Sequence, residues 1–259
     1  MKAMVITKVD PPLGWVIFNR PHVKNAFNLQ MWKEVPKAIV RTALDPQVRI
    51  ILLKGEGGNF GAGADIKELL EYAQEPLLAR AYADKVNFCF FTMGQVEIPL
   101  IALVEGYTLG GGAMVATACD LRVVSDEATV GIPLPRLGLA VEPLGIKRLM
   151  ETVGLSWASK FLLTADPIPL EDLKLSGWAT SVVAHDKVEN EAKNLADRIM
   201  KNSPTAIQMT KRIIREWLKS SLERKEKILE EAFARCMLGD EFIEGAKAFM
   251  EKRKPKFSL

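Results

Sequence analysis

Histidine is nearly absent from this chain: His22 and His185 are the only 2 in 259 residues. The 3 cysteines, Cys89, Cys119 and Cys236, are scattered and form no C-x-x-C pair. These shortages argue against a zinc site and a disulfide framework, and they fit a reducing compartment. They also leave Ser-His-Asp chemistry poorly supplied. His22 follows a proline and His185 precedes an aspartate, so both read as surface or turn residues. Charge of one sign is lacking too. The net charge of +3 is too small to argue for nucleic acid, and no basic stripe is interleaved with aromatics. No long apolar run is unbroken. The longest, Ile98 to Val124, carries Glu105, a glycine run, Asp120 and Arg122, where a membrane span needs about 20 apolar residues. The N-terminal stretch has Asp10 and a proline pair where a secretory h-region would lie, so a cytoplasmic location is expected. Neither a Rossmann G-x-G-x-x-G nor a P-loop occurs, which disfavours a nucleotide-binding dehydrogenase.

What the chain does have is apolar mass, 48% of residues, enough for one large domain or a core with an appendage. Three front segments share a strand–loop–helix plan. Strands are expected at Gly14–Phe18, at Ile50–Lys54 and at the start of the segment from Pro99, with helices from about Asn28 and Ala64–Asp65 and at about Gly111–Ala118, and another strand at Leu121–Ser125. After Gly145 helical patterns dominate: Gly145–Val153, Ser156–Thr164, Leu170–Ser176, Lys187–Lys201, Pro204–Ser220 and Leu222–Leu238. Ser203-Pro204 is a helix start, with Ser as cap and Pro at the first position. Ile207, Ile213, Ile214, Trp217 and Leu218 mark an apolar stripe on the helix that follows.

Two strand-to-helix junctions are rich in glycine: GNFGAGADIKEL (Gly58–Leu69) and GYTLGGGAMVA (Gly106–Ala116). Glycine inside an element costs roughly 0.5–1 kcal/mol relative to alanine, so the spacing needs a reason. Close packing explains any one such turn. An anion could also sit on the helix N-terminus. A third reading uses both junctions: one N–H from each points at a single carbonyl oxygen and forms an oxyanion hole.

These residues carry a resemblance. F-G-A-G-A-D-I-K-E-L, then I-P-L-I-A-L-V-E-G-Y-T-L-G-G-G, then A-C-D-L-R-V-V-S-D-E-A resemble the crotonase, or enoyl-CoA hydratase/isomerase, superfamily. The match runs from FNRPHVKNAFN (Phe18–Asn28) to EGAKAFMEKRKPKF (Glu244–Phe257). It implies an α/β fold: a ββα spiral forming two roughly perpendicular sheets, with a C-terminal helical trimerisation region. Residues 1–200 would be the spiral core and 201–259 the helical region, the chain assembling as a homotrimer or dimer of trimers. By motif, the oxyanion N–H groups fall on Ala64 and Gly111, and Gly110 keeps side chains away. Lys24 and the backbone from Ala62 through Asp65 to Ile66 match CoA-contacting segments. Lys252, Arg253, Lys254 and Lys256 either help to hold CoA phosphates or form a solvated charge run. No metal or redox cofactor is implied; CoA is the substrate's carrier.

Hydratases of this family carry two glutamates, one shortly after the glycine run and one in a P-E pair after the next strand. Here those positions read Met114 in GGGAM and Leu134 in GIPLP. Glu142, in GLAVEPLGIKRL, stands where the peroxisomal type of Δ3,Δ2-enoyl-CoA isomerase keeps its single catalytic glutamate. The expectation is therefore an enoyl-CoA isomerase using one carboxylate as base and then acid, within an apolar wall of Met114 and Leu134. The alternatives are a hydratase-like, hydrolase-like or decarboxylase-like reaction on an unusual acyl-CoA, or a noncatalytic acyl-CoA-binding paralogue. Asp65 and Glu68 read as cap or dipole partners of their helix, Asp120 and Asp126 as turn residues, and Glu105 as a structural hydrogen-bond partner. Phe88, Phe90, Phe91 and Met93 read as helix core or as lining for an acyl pocket.

Overall fold

A computed structural model describes residues 3–257. The chain opens with a hairpin, β1 (Val5–Asp10) antiparallel to β2 (Leu13–Phe18), turned at Pro11-Pro12. Then come α1 (Leu29–Ala43), β3 (Ile50–Gly55), α2 (Ile66–Ala73), α3 (Pro76–Gln95) and β4 (Leu100–Val104). A second group is β5 (Tyr107–Leu109), α4 (Gly111–Ala118), β6 (Leu121–Ser125) and β7 (Thr129–Gly131). The back half holds α5 (Pro143–Thr164), β8 (Pro167–Ile168), α6 (Leu170–Leu175), β9 (Ser181–Val183) and α7 (Val188–Met200). Three helices finish the described chain: α8 (Pro204–Trp217), α9 (Glu226–Met237) and α10 (Asp240–Met250).

The large sheet has the order β1-β2-β3-β4-β6-β9, parallel from β2 onward. Near-continuous apolar runs such as IILLKG and LIALV suit strands buried on both faces. Alternate residues divide between two cores. Val16, Phe18, Ile51, Leu53 and Ala102 face the main core, while Trp15, Ile50, Leu52, Ile101 and Leu103 face α7 through Val188, Ala192 and Ala196. A smaller sheet, β5-β7-β8, is extended by parallel bridges from Thr108 to Gly61 and from Phe27 to Ala64. Both glycine-rich junctions are thereby drawn into one layer.

Most expected elements stand within a few residues of where the patterns put them; α4 and β6 match at both ends. The expected helices Gly145–Val153 and Ser156–Thr164 are merged in α5, which breaks at Gly154, where φ is 75°. Neither β1 nor α10 was foreseen; both are largely exposed, so neither writes a strong apolar pattern. The apolar stripe of α8 is not covered within the chain: Ile214 and Trp217 are each 55% exposed. Helix α8 packs chiefly on α9 rather than on the sheets, and only its Met209 and Glu216 are buried. No helix of the described residues is long and apolar enough to cross a membrane.

Candidate active site

The first junction is built by strand-like pairing. Phe27 N–H donates to Gly63 O, and Asp65 N–H donates to Phe27 O. In parallel pairing the residue between, Ala64, turns its own N–H away from that partner, and no backbone acceptor takes it among the described residues. On the other side Gly61 N–H donates to Tyr107 O, and Leu109 N–H donates to Gly61 O. The chain then turns at Gly110, whose N–H donates to Gly131 O, and enters α4 at Gly111. As the first residue of its helix, Gly111 has an N–H with no helical acceptor. A Cβ placed on Gly111 would lie 3.8 Å from Ala64 N, so the two free donors are neighbours.

The glycine run now has a cause at each position. Gly110 adopts φ 47°, ψ −116°, a conformation L side chains rarely take. A Cβ on Gly111 would stand 2.9 Å from Trp32 Cζ2, and one on Gly112 would stand 2.1 Å from Gly61 O. The Trp32 indole that covers Gly111 donates from Nε1 to the Tyr82 hydroxyl at 2.8 Å. Burial raises the Tyr82 hydroxyl far above its ordinary pKa, so it stays neutral.

Glu142 occupies the N-cap position of α5 and is half-buried. Its Oε2 accepts from Asn87 Nδ2 on α3 at 3.2 Å. Burial raises its carboxyl above the usual carboxylate range; the Asn87 bond pulls it back, and nearby Asp84 adds to the rise. Met114, on α4, is 2% exposed, and its Cε lies 3.1 Å from where a Gly145 Cβ would be, beside Val141 and Phe90. Leu134 Cδ1 lies 3.1 Å from where a Gly110 Cβ would be. The candidate site comprises two free N–H groups, Leu134 beside Gly110, Met114 beside Gly145 and, three residues before Gly145, one carboxylate whose charge is disfavoured.

Residues 13–258 match the model of the enoyl-CoA hydratase/isomerase family. This chain belongs to that family. It is 32% identical over 251 residues to a short-chain-enoyl-CoA hydratase of Clostridium acetobutylicum, covering 96% of this chain and 95% of that protein. It is 31% identical over 254 residues to a crotonyl-CoA hydratase of Syntrophomonas wolfei, covering 98% and 97%. A crystal structure of an enoyl-CoA hydratase/isomerase family protein from Hyphomonas neptunium superposes with a TM-score of 0.92 at 29% identity, covering 99% of this chain and 98% of that one. The fold is the crotonase fold. The relatives' names are those of hydratases, so the resemblance to the peroxisomal isomerase rests on Glu142 alone.

The other expected residues of this family member fall in different surroundings. Lys24 is left-handed at φ 52°, its carbonyl accepts from Ala62 N–H, and its Nζ sits 3.8 Å from the centre of the Tyr107 ring. Ile66, first residue of α2, is exposed. Asp65 stands at the N-cap of α2 but does not cap it; Arg20 draws its carboxylate away at 3.1 Å. Glu68 also serves another helix: Oε2 accepts from Leu29 N–H at the start of α1, at 2.6 Å. Glu105 faces His185 at 3.9 Å. Lys252 and Lys256 lie in the tail after α10, where Arg253 pairs with Glu244 and Glu251. No hydrogen bond or ion pair among the described residues joins that tail to the Lys24–Ile66 segment. No group of three His, Cys, Asp or Glu among the described residues could hold a metal.

Sequence reasoning missed Asn25, Tyr82 and Asn87. Trp32 and Tyr82 are 50 positions apart, and Asn87 and Glu142 are 55 apart. Only the fold brings them together; no local pattern marks them.

Proposed function

We propose that this chain acts on acyl-CoA thioesters and moves a double bond from the 3- to the 2-position, with Glu142 as the sole proton carrier. The observation that carries the reading is the half-buried Glu142 carboxylate at the start of α5, the helix whose Gly145 lies against Met114. Met114 and Leu134 hold the positions where hydratases of the family keep their glutamates. The thioester oxygen accepts from Ala64 and Gly111. Glu142 takes a C2 proton, the C–H electron pair moves into a dienolate, and the negative charge rests on the held oxygen. Glu142 then returns the proton to C4, so no water and no net proton are consumed. One oxyanion donor of this kind is worth about 3–4 kcal/mol of barrier. Lys24 and the backbone from Ala62 to Ile66 hold the CoA.

The sign of the pH dependence follows from burial. The base form of Glu142 does the first step, and burial raises its pKa. Activity is full above that raised value and is lost as pH falls through it. Glu142→Gln is expected to lower turnover of 3-hexenoyl-CoA by about 10²-fold or more while acyl-CoA binding survives; retained turnover would falsify the role.

Hydration is the second reading, favoured by the names of the relatives. Conjugated-enoyl absorbance separates the two. A rise with 3-hexenoyl-CoA and no loss with crotonyl-CoA supports isomerisation; loss with crotonyl-CoA supports hydration. Exposed Trp217, Phe233, Leu238 and Phe249 on the last three helices and their connections support assembly as a homotrimer or dimer of trimers. Light scattering of the purified protein tests it; a monomer overturns it.

A further inference from the structure

Trp32 reaches both glycine-rich junctions at once. The edge of its six-membered ring meets the second: a Cβ on Gly111 would lie 2.9 Å from Cζ2 and 3.1 Å from Cη2. Its face meets the first through Phe27, whose ring centre is 4.7 Å away at a tilt of 37°. Phe27 is the residue whose backbone pairs with Ala64, and a Cβ on Gly61 would lie 2.8 Å from its Cε2. Both rings are buried. They form a two-ring stack with one junction against each ring.

The rotation of the indole is fixed as well. Met31, Val35 and Ile39 fill the other buried positions of α1 with aliphatic groups. An indole brings an N–H that needs an acceptor when buried. Tyr82 Oη, from α3, accepts it at 2.8 Å, the one hydrogen bond of either side chain among the described residues. Phe90, two turns further along α3, meets the indole edge to face with ring centres 5.9 Å apart. Helix α3 therefore holds the ring at two points, and the ring holds the two junctions.

We propose that Trp32 is the spacer that sets the separation of the Ala64 and Gly111 N–H groups, and that Tyr82 is the positioning residue that locks its rotation. This rests on the reading of those two N–H groups as donors to the thioester oxygen. Both side chains act through Gly111 and Phe27 rather than on the substrate. A close-packed aromatic ring yields little under compression, so a turn of the indole moves Gly111 against Ala64. Two donors serve one oxygen only over a narrow range of separations. A rigid support behind them keeps the pair aligned before the substrate arrives.

The test compares three variants of the full-length protein. Tyr82→Phe keeps the phenyl ring and strands the indole N–H of Trp32. Trp32→Phe removes the ring edge that meets Gly111. Thr117→Val is the matched control. It strands the N–H of Trp178, which donates to Thr117 Oγ1 at 2.8 Å in the same core, near the end of α4 far from Gly111. Hexanoyl-CoA labelled with 13C at C1 has no double bond to move, so its bound carbonyl reports the two donors without turnover. In the wild type its C1 resonance should move downfield on binding, because the donors polarise the carbonyl. Tyr82→Phe should lose part of that shift and Trp32→Phe most of it, while Thr117→Val keeps it. The kcat for whichever substrate the wild type consumes, 3-hexenoyl-CoA or crotonyl-CoA, should fall about 10-fold in Tyr82→Phe and about 100-fold in Trp32→Phe, the scale of a misplacement of about 1 Å. KM should stay within about twofold in both. Thr117→Val should keep kcat within about twofold even where it melts as low as Tyr82→Phe. If Trp32→Phe does not fold, Tyr82→Phe decides. A Tyr82→Phe enzyme with the wild-type carbonyl shift and kcat overturns the proposal. So does a Thr117→Val enzyme that loses as much of both, because the loss then follows core stability alone. Absence of a downfield shift in the wild type overturns the donor reading itself, and that outcome is read without any variant.

Discussion

Between β5 and α4 the backbone is held by steric exclusion; between β3 and α2 it is held by side-chain hydrogen bonds. In the first region, Gly112 leaves no room for a Cβ against Gly61 O, and α4 behind it is buried from Gly112 to Ala118. In the second, Asn25 carries the load. It is fully buried, accepts from Arg20 N–H at 2.7 Å, and donates to Glu56 O at 2.9 Å and Asn59 O at 2.6 Å. Helix α2 has no fully buried residue, and only its partly buried Leu69 and Tyr72 pack against the core, so its N-terminus leans on polar bonds. Two N–H groups that must meet at one oxygen are therefore fixed by opposite means. A wall built by exclusion tolerates no added atom, and a wall built by polar bonds tolerates no lost one.

The sharpest way to break this contrast is Gly112→Ala. Its Cβ would meet a backbone oxygen at 2.1 Å, which no side-chain rotation relieves. The two junctions must move apart, at about 3 kcal/mol, the upper end of overpacking costs. Turnover should fall by about 10²–10³, the effect of losing one oxyanion donor. Urea unfolding and the 3-hexenoyl-CoA assay read the two effects separately. Wild-type activity in this variant would mean that the junctions do not form one site.

A smaller effect is expected from the polar wall. Asn25→Ala strands the Arg20 N–H and two carbonyls, for about 2–3 kcal/mol. It also asks alanine to hold φ 55°, for about 1 kcal/mol more. Asn25→Gly removes the same bonds without that strain, so the difference between the two melting curves isolates the backbone term. Equal curves would mean that the loop relaxes out of its left-handed turn, and the wall is then softer than its hydrogen bonds suggest.

The same contrast explains what could be read in the sequence. Exclusion leaves a mark, because only glycine fits: the run Gly110 to Gly112 announced the second junction, and both ends of α4 were placed correctly. The strands were legible because β2, β3 and β4 are buried on both faces and read as continuous apolar runs. Polar support leaves no such mark. Asn25 looks like any loop asparagine, and Asn87 looks like an exposed position of α3. Asp65 and Glu68 were assigned to their own helix from proximity, yet one pairs with Arg20 and the other with α1. Trp217 and Ile214 keep their apolar pattern yet lie exposed, because pattern specifies a face and not what covers it.

The smallest expected effect tests whether polar support extends beyond Asn25. Glu68 sits in the first turn of α2, and its carboxylate accepts the Leu29 N–H of α1, a donor that has no partner within its own helix. The bond ties the helix after the first junction to the helix that carries Trp32, the residue packed on Gly111. Glu68→Ala should cost about 1 kcal/mol, as for a lost helix cap. Glu68→Gln keeps an acceptor oxygen at the same reach and loses only the charge near the N-terminus of α1, worth about 0.3–1 kcal/mol. Thermal melts of the pair, with alanine below glutamine, would show that α1 and α2 are coupled through this side chain. Alanine and glutamine variants that both melt with wild type would leave the Phe27–Ala64 backbone pairing as the connection between them, and the first junction would then depend on Asn25 and its neighbours alone.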